Sequence, residues 1–367
     1  MNTSRFRFHF NLKIIRRLII LAFISALVII CLGKKKYVSF RRNQKKLDSG
    51  YRPGNTEMYV YKNSRSLGYD TMDGEFSKGC PLWVNHSQTI YQNYLIELED
   101  YNRRVREFQT KPDIRKRLKR ENRRKLCREL ELHPRGLAGI FKSGGLSQSI
   151  FNGGMEPLLP PLRHPNFCLD ERELMRLDYL VHDFEAICNR ISETSRIVLI
   201  DLGASLEFHS AGKAEPIYFI TELYRKFGLR FDHIYAYEKE QLNVKKVFDA
   251  LPDELLASYH WINIGVSANM SEKTNPLRMI LENFIDEDLV VLKLDVDSPT
   301  VELGLIEEIL GNNRLCRLID HLYFEQHVHL EELSPYWSAG RMKGSVRDSL
   351  QLFRELREKG IAAHYWV

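Results

Sequence analysis

Zinc-finger, RNP and helix-turn-helix signatures are all missing from this sequence, and so is any CxxC pair. The six cysteines are widely spaced and match no zinc pattern. Cys31 lies in an apolar run. Cys80, Cys127, Cys168, Cys188 and Cys316 are compatible with two disulfides and a free thiol, or with five buried thiols. There is no GxGxxG, so a phosphate cradle for a dinucleotide lacks support. Only one apolar run approaches membrane length, which excludes a multi-span membrane protein. Acidic residues are absent from positions 1–46, where 12 basic residues stand.

That asymmetry changes the meaning of the net charge. Over 367 residues it is +6, but residues 1–46 contribute +12 and residues 101–125 contribute +9, leaving −15 for the rest. The chain is an acidic body with two basic stretches. With 44% hydrophobic and 28% charged residues it has an ordinary globular balance. Without a recognition motif beside the basic stretches, no nucleic-acid partner is expected.

Leu18 to Leu32 reads LIILAFISALVIICL, without a charge. At ~1.5 Å per residue it is short for a bilayer, but flanking Arg and Lys can snorkel and extend it. The reading is a signal anchor that holds the chain to the bilayer through residues 18–32. A cleaved signal peptide, a mitochondrial leader and a buried helix are the competing readings. Basic residues on the two sides nearly balance, leaning slightly toward a cytoplasmic body. A short tail, one anchor and a large following body is also the layout of lumenal Golgi enzymes. A single-pass protein of the Golgi or endoplasmic reticulum with a lumenal body is therefore expected, and Asn85 and Asn269 head sequons that would then be glycosylation acceptors.

Four segments follow from composition: 1–33, tail and anchor; 34–80, a polar stem or linker; 81–195, a helical and loop-rich extension; 196–367, an α/β domain. In the extension, Tyr91, Tyr94, Leu95, Leu98, Tyr101 and Val105 suit one face of a helix, and Arg115 to Leu132 resumes as a basic helix after Pro112. Residues 133–168 read as loop laid over the body, and Asp170 to Arg190 as helix on the stripe Leu174, Leu177, Leu180, Val181 and Phe184. The last part alternates strands (196–202, 233–237, 261–266, 289–296, 318–324 and an edge strand at 364–367) with helices (215–227, 244–256, 276–284, 301–310 and 346–359). This predicts an open sheet with helices on both faces.

In such a sheet the ligand lies beyond the carboxyl ends of the strands. The first strand ends in Asp201-Leu202-Gly203, where a glycine lets backbone approach a ligand. The second ends at Glu238, able to accept both hydroxyls of a ribose. One glycine with two acidic residues suits a ligand without a pyrophosphate, such as S-adenosylmethionine. The alternative is that Asp201 caps a helix and Glu238 is a surface residue. The fourth strand carries Lys293, Asp295 and Asp297 at alternate positions. A lysine inside an apolar strand is costly unless paired, and Asp295 is the obvious partner. The fifth strand leads into Glu325, His327 and His329. His327 could serve as a general base, could join Asp295 or Asp297 at a divalent metal, or could simply be satisfied by carboxylates.

The stretch from Arg196 to His329 resembles the FkbM-like S-adenosylmethionine-dependent methyltransferases. The resemblance rests on Lys293-Leu294-Asp295-Val296-Asp297-Ser298 with Glu302 in the next helix, on Asp201 and Gly203, on Glu238, and on Glu325 with His327. The wider run DLGAS…YAYE…HWINIGVS…VVLKLDVDSP…YFEQHV resembles a membrane-anchored eukaryotic branch. The resemblance implies a Rossmann-like methyltransferase fold and S-adenosylmethionine held by Asp201, Gly203, Glu238 and Ser267. It also implies methyl transfer to a hydroxyl of a small molecule or glycan, with catalytic Lys293, Asp295 and His327 and no metal. His327 or Asp295 would take the acceptor proton, and Lys293 would orient Asp295. Two other readings remain. Asp295-Val296-Asp297 also resembles the DxD motif of Golgi glycosyltransferases that use a nucleotide sugar. A membrane-tethered binding protein without catalysis is favoured by the run Leu206, Glu207, Phe208, His209 that separates Gly203 from Gly212.

Overall fold

The computed structural model describes residues 51–72, 74–81, 90–110, 142–143, 154–160, 162–182, 187, 191–192, 194–205, 216–225, 227–337 and 339–366. The expected membrane span at 18–32, the basic helix at 115–132 and Asn85 lie outside them. No described helix is long and apolar enough to cross a membrane.

In chain order the elements are β1 (Tyr51–Arg52), α1 (Asn55–Asn63), α2 (Ile90–Thr110), β2 (Lys142–Ser143), β3 (Ile197–Leu202), α3 (Pro216–Arg225), β4 (His233–Tyr237), α4 (Val244–Ala250), α5 (Asp253–Leu256) and β5 (Tyr259–Ile262). Then come α6 (Pro276–Asn283), β6 (Leu289–Leu294), α7 (Pro299–Gly311), α8 (Asn313–Leu318), β7 (His321–Phe324), α9 (Val346–Glu358) and β8 (Ala362–Tyr365). Six strands form one sheet in the order β5-β4-β3-β6-β7-β8, every neighbouring pair parallel. This is an α/β fold with Rossmann-like strand order. β3, β6, β7 and β8 are buried along their whole length, which explains their near-continuous apolar sequences. The order reverses between β3 and β6, so the crevice for a ligand opens beyond Leu202 and Leu294.

Several expected elements shift. The helix read over 244–256 splits into α4 and α5, because Pro252 holds Leu251 in extended backbone. The third strand is Tyr259–Ile262 rather than 261–266, and the residues after it turn back on themselves. Part of the segment read as strand at 318–324 is α8, whose N-terminus Asn312 caps through its side chain.

The larger correction concerns residues 170–190. Over 170–182 the chain is a short 3-10 turn, Glu171–Glu173, followed by irregular backbone rather than helix; of the rest of the expected helix only Ile187 is among the described residues, and it is helical. Its polar groups bond outward instead. Val181 N donates to Glu156 Oε2 (3.0 Å) and the Tyr179 hydroxyl donates to Tyr365 O (2.8 Å). Tyr179, Leu180, Val181 and His182 are buried in succession, as in a chain pressed between two surfaces. Residues 154–160 and 162–164 are loop, as read, and lie buried, and Pro165–Cys168 form a 3-10 turn. In α2 the stripe Tyr94, Leu98 and Tyr101 is buried as expected.

The polar lead-in drawn to residue 80 is folded from Tyr51 on. Leu47–Val367 make up one compact unit, so the boundaries expected at 80 and 195 are not breaks in packing. Arg357, buried in α9, donates to Ala363 O through Nε (3.0 Å) and Nη2 (2.8 Å), and to Glu156 O through Nη1 (2.8 Å). Its guanidinium also meets Glu57 of α1 at 3.5 Å and the Tyr51 hydroxyl at 3.3 Å. Ser77 bridges to Leu330, and the amides of Gly79 and Cys80 donate to the Glu332 carboxylate (3.0 and 2.8 Å). Cys80 forms a disulfide with Cys168, while Cys316 is a buried free thiol. Cys31, Cys127 and Cys188 lie outside the described residues.

Candidate functional site

At the sheet's switch point Lys293 is completely buried. Its Nζ lies 3.2 Å from Asp201 Oδ1 and 3.2 Å from Asp295 Oδ2, and donates to Gly203 O at 2.9 Å. The register explains the first contact, since Lys293 sits beside Asp201 across β3 and β6. The expected pairing with Asp295 is present, and Asp201 is a second partner. Burial opposes the charge on Lys293, but the two carboxylates outweigh it and hold the ammonium above its ordinary pKa.

Gly203 is required here for a reason other than the expected one. Its φ is +86°, and a Cβ at this position would lie 1.7 Å from the Asp295 carbonyl oxygen. The close approach is between two strand ends of the same chain rather than between backbone and ligand. Asp201 is 2% exposed behind it. Together Asp201, Gly203 and Lys293 lock β3 to β6.

Beyond that lock stands a second group. Glu325 takes Arg163 Nη2 (2.6 Å) and Trp337 Nε1 (3.1 Å) on Oε1, and meets His327 Nε2 at 3.1 Å on Oε2. His327 stacks on Trp337 with ring centroids 4.8 Å apart. Burial opposes ionisation of Glu325, yet His327 and Arg163 overcome it and hold the carboxylate below its usual range. Asp295 goes the other way. Burial pushes its carboxyl well up, Lys293 offsets only part, and the Glu325 charge adds to the rise. Asp295 and Glu325 thus shift in opposite directions as close neighbours. Glu302, in the first turn of α7, accepts Val296 N at 3.0 Å, and burial raises its carboxyl to about 7.

The expected Lys293, Asp295 and His327 are thus joined, through Glu325, with Asp201 and Gly203. β6 ends at Leu294, so Asp297 leaves the strand alternation; it adopts φ +55° and pairs with Arg341 at 2.6 Å. His329 is separate, with Nδ1 3.0 Å from Gly344 O. Glu238 ends β4 at 8% exposure; its Oε1 accepts Glu240 N at 2.7 Å. Ser267 closes its own loop, accepting Asn269 N at 3.1 Å. Neither Glu238 nor Ser267 touches the Lys293 group through a side chain.

Arg163 and Trp337 are the site residues that reading the strands missed. Arg163 comes from the irregular segment 154–182, and the residue before it, Leu162, has φ +57°. A charged residue inside the apolar run Pro157 to Phe167 was the available signal. Among the described residues, Leu162 and Asp297 are the non-glycine positions with positive φ, and both flank this cluster.

No protein-family model matches the chain, and no curated protein or solved structure matches it either.

Proposed function

We propose that the chain is an S-adenosylmethionine-dependent O-methyltransferase acting on a hydroxyl, of a small molecule or a glycan. The observation that carries the reading is the Arg163–Glu325–His327 chain beyond the end of β7, at the same edge of the parallel sheet as Glu238, which follows β4 on the other side of β6 and β3. The reading assigns the imidazole to the acceptor and the Glu238 carboxylate to a ribose.

The fit to the cofactor rests on Glu238. Oε1 caps its own turn, and among the described residues no donor is recorded on Oε2, which suits a ribose hydroxyl. Asp201 and Gly203 support the crevice from behind and do not hold the ligand. When bound, S-adenosylmethionine supplies a methyl group on an already good leaving group. The chain's task is to align the acceptor oxygen, exclude water and receive its proton. With Nε2–H donating to Glu325, His327 has its lone pair on Nδ1, which is buried and has no hydrogen-bond partner in the structure. We assign the general base to that atom. Glu325 steadies the imidazolium that forms, and Arg163 and Trp337 keep Glu325 in place.

The glycosyltransferase reading loses support, because both carboxylates of the Asp295–Asp297 motif already meet cations, Lys293 and Arg341. The non-catalytic reading keeps one favourable observation. The space beside Gly203 is filled by the chain itself.

Calorimetric titration of the full chain with S-adenosylmethionine, then with UDP- and GDP-sugars plus Mn²⁺, tests these alternatives. The expected result is micromolar binding of S-adenosylmethionine, abolished by Glu238→Ala and unchanged by His327→Gln. His327→Gln should instead lower methyl transfer by roughly 10²–10⁴-fold. A folded chain that binds no S-adenosylmethionine refutes the proposal, and silence with the sugars as well leaves the binding-protein reading.

A further inference from the structure

A second cluster lies away from the strand ends. His321 opens β7 and Tyr323 follows two residues later, so both project from one face of the strand. His364 of β8 is the register partner of Tyr323. His182 reaches the same place from the irregular segment 154–182. All four are buried. His321 Nδ1 and His364 Nε2 stand 3.3 Å apart, and His182 Nε2 is 2.6 Å from the Tyr323 hydroxyl. One ring nitrogen from each histidine lies within 4.8 Å of the others. His364 Nδ1 faces Glu156 Oε1 at 2.8 Å, and Arg357 Nη2 lies 3.4 Å from that same oxygen.

We propose that His182, His321 and His364, with Tyr323 as fourth ligand, bind a zinc ion that ties the irregular segment to the sheet. Three imidazoles and one oxygen are a donor set that zinc accepts in tetrahedral geometry. Two nitrogens bound at ~2.0–2.1 Å around such a centre stand about 3.3–3.4 Å apart; the His321–His364 pair already has that separation. Glu156 is the carboxylate that a metal-binding histidine requires on its other nitrogen. It fixes the proton of His364 on Nδ1 and leaves Nε2 to the ion.

The ring planes of His321 and His364 are nearly parallel, 6° apart, with His321 Nδ1 and His364 Nε2 within hydrogen-bond distance. For the ion to bind, His321 carries its proton on Nε2 instead of Nδ1, so the ring stays neutral and Nδ1 is released to the ion, and both rings turn toward a common point. Tyr323 gives up its phenol proton on binding. The ion, phenolate, Glu156, Glu57 and Arg357 then sum to zero charge, which a buried dication needs. The group Asp297, Glu325 and His327 also has metal-like spacing, but Arg163 and Arg341 already occupy its carboxylates.

Metal analysis of the purified full chain should find about one zinc per chain, as expected for one closed four-ligand site. After chelation, Co²⁺ should restore one equivalent with the visible spectrum of a tetrahedral site. His321→Gln and His182→Gln should abolish that spectrum, and Glu156→Gln should weaken zinc binding about 10–100-fold. If a variant fails to fold, the wild-type titration still decides. A folded wild-type chain with neither zinc nor a cobalt spectrum overturns the proposal. So does metal retained equally by both folded histidine variants.

Discussion

Replacing Lys293 with Met keeps the volume and removes the charge from a side chain with no exposed surface. Two carboxylate oxygens lie 3.2 Å from Nζ. At an effective dielectric of ~20 each contact is worth about 5 kcal/mol before the cost of desolvating the ammonium, which offsets much of that sum. The substitution strands Asp201, 2% exposed, as a buried carboxylate without its cation. Breaking a buried pair in this way costs about 3–5 kcal/mol. For a unit of this size that is a fall in Tm of roughly 6–20 °C. Adding Asp201→Asn should return at least ~1 kcal/mol, because the two sites are in direct contact. Thermal unfolding of the full chain, followed by near-ultraviolet circular dichroism for both single variants and the double, measures all three. A loss under ~1 kcal/mol with strictly additive effects would refute the lock between β3 and β6.

Gly203→Ala should be at least as damaging, since the new Cβ meets the Asp295 carbonyl at 1.7 Å and φ +86° is strained for any L-residue; soluble yield and Tm report it. Glu302→Gln should stabilise the protein above neutral pH. A buried carboxyl raised to about 7 loses stability as pH climbs from ~4.5 through 7, and the amide has no proton to lose, so Tm measured at pH 5 and pH 8 should converge in the variant. Replacing both Cys80 and Cys168 with Ser opens a link across 88 residues and should cost about 2–5 kcal/mol in denaturant unfolding; an unchanged midpoint would mean that the link contributes nothing.

The strand–helix alternation was legible because strands buried on both faces write themselves as apolar runs, as in Leu289–Leu294. The cost of an unpaired buried lysine pointed correctly to Asp295. It did not point to Asp201, whose proximity depends on the β3–β6 register. The stripe Leu174, Leu177, Leu180 and Val181 misled, because an irregular segment that packs Leu174 and Leu177 partly against the core and buries Leu180 and Val181 also places apolar residues three and four apart. Arg163, Trp337 and His182 were not legible as site residues. Each arrives from a stretch without periodicity, placed by contacts far along the chain.

The docking of the lead-in sets an order of events during synthesis. Residues 51–81 leave the ribosome early, and although β1 pairs with residues 142–143 and Glu57 with Leu158, their other partners Leu330, Glu332, Arg347 and Arg357 are made more than 240 residues later. Those contacts must wait until almost the whole chain exists, and such long-range closure is slow. Cys80 faces the same delay with a nearer partner, Cys168, in reach well before β3 is complete. Shortening the chain from its C-terminus, even by the length of α9 and β8, would therefore undo the N-terminal end of the fold first.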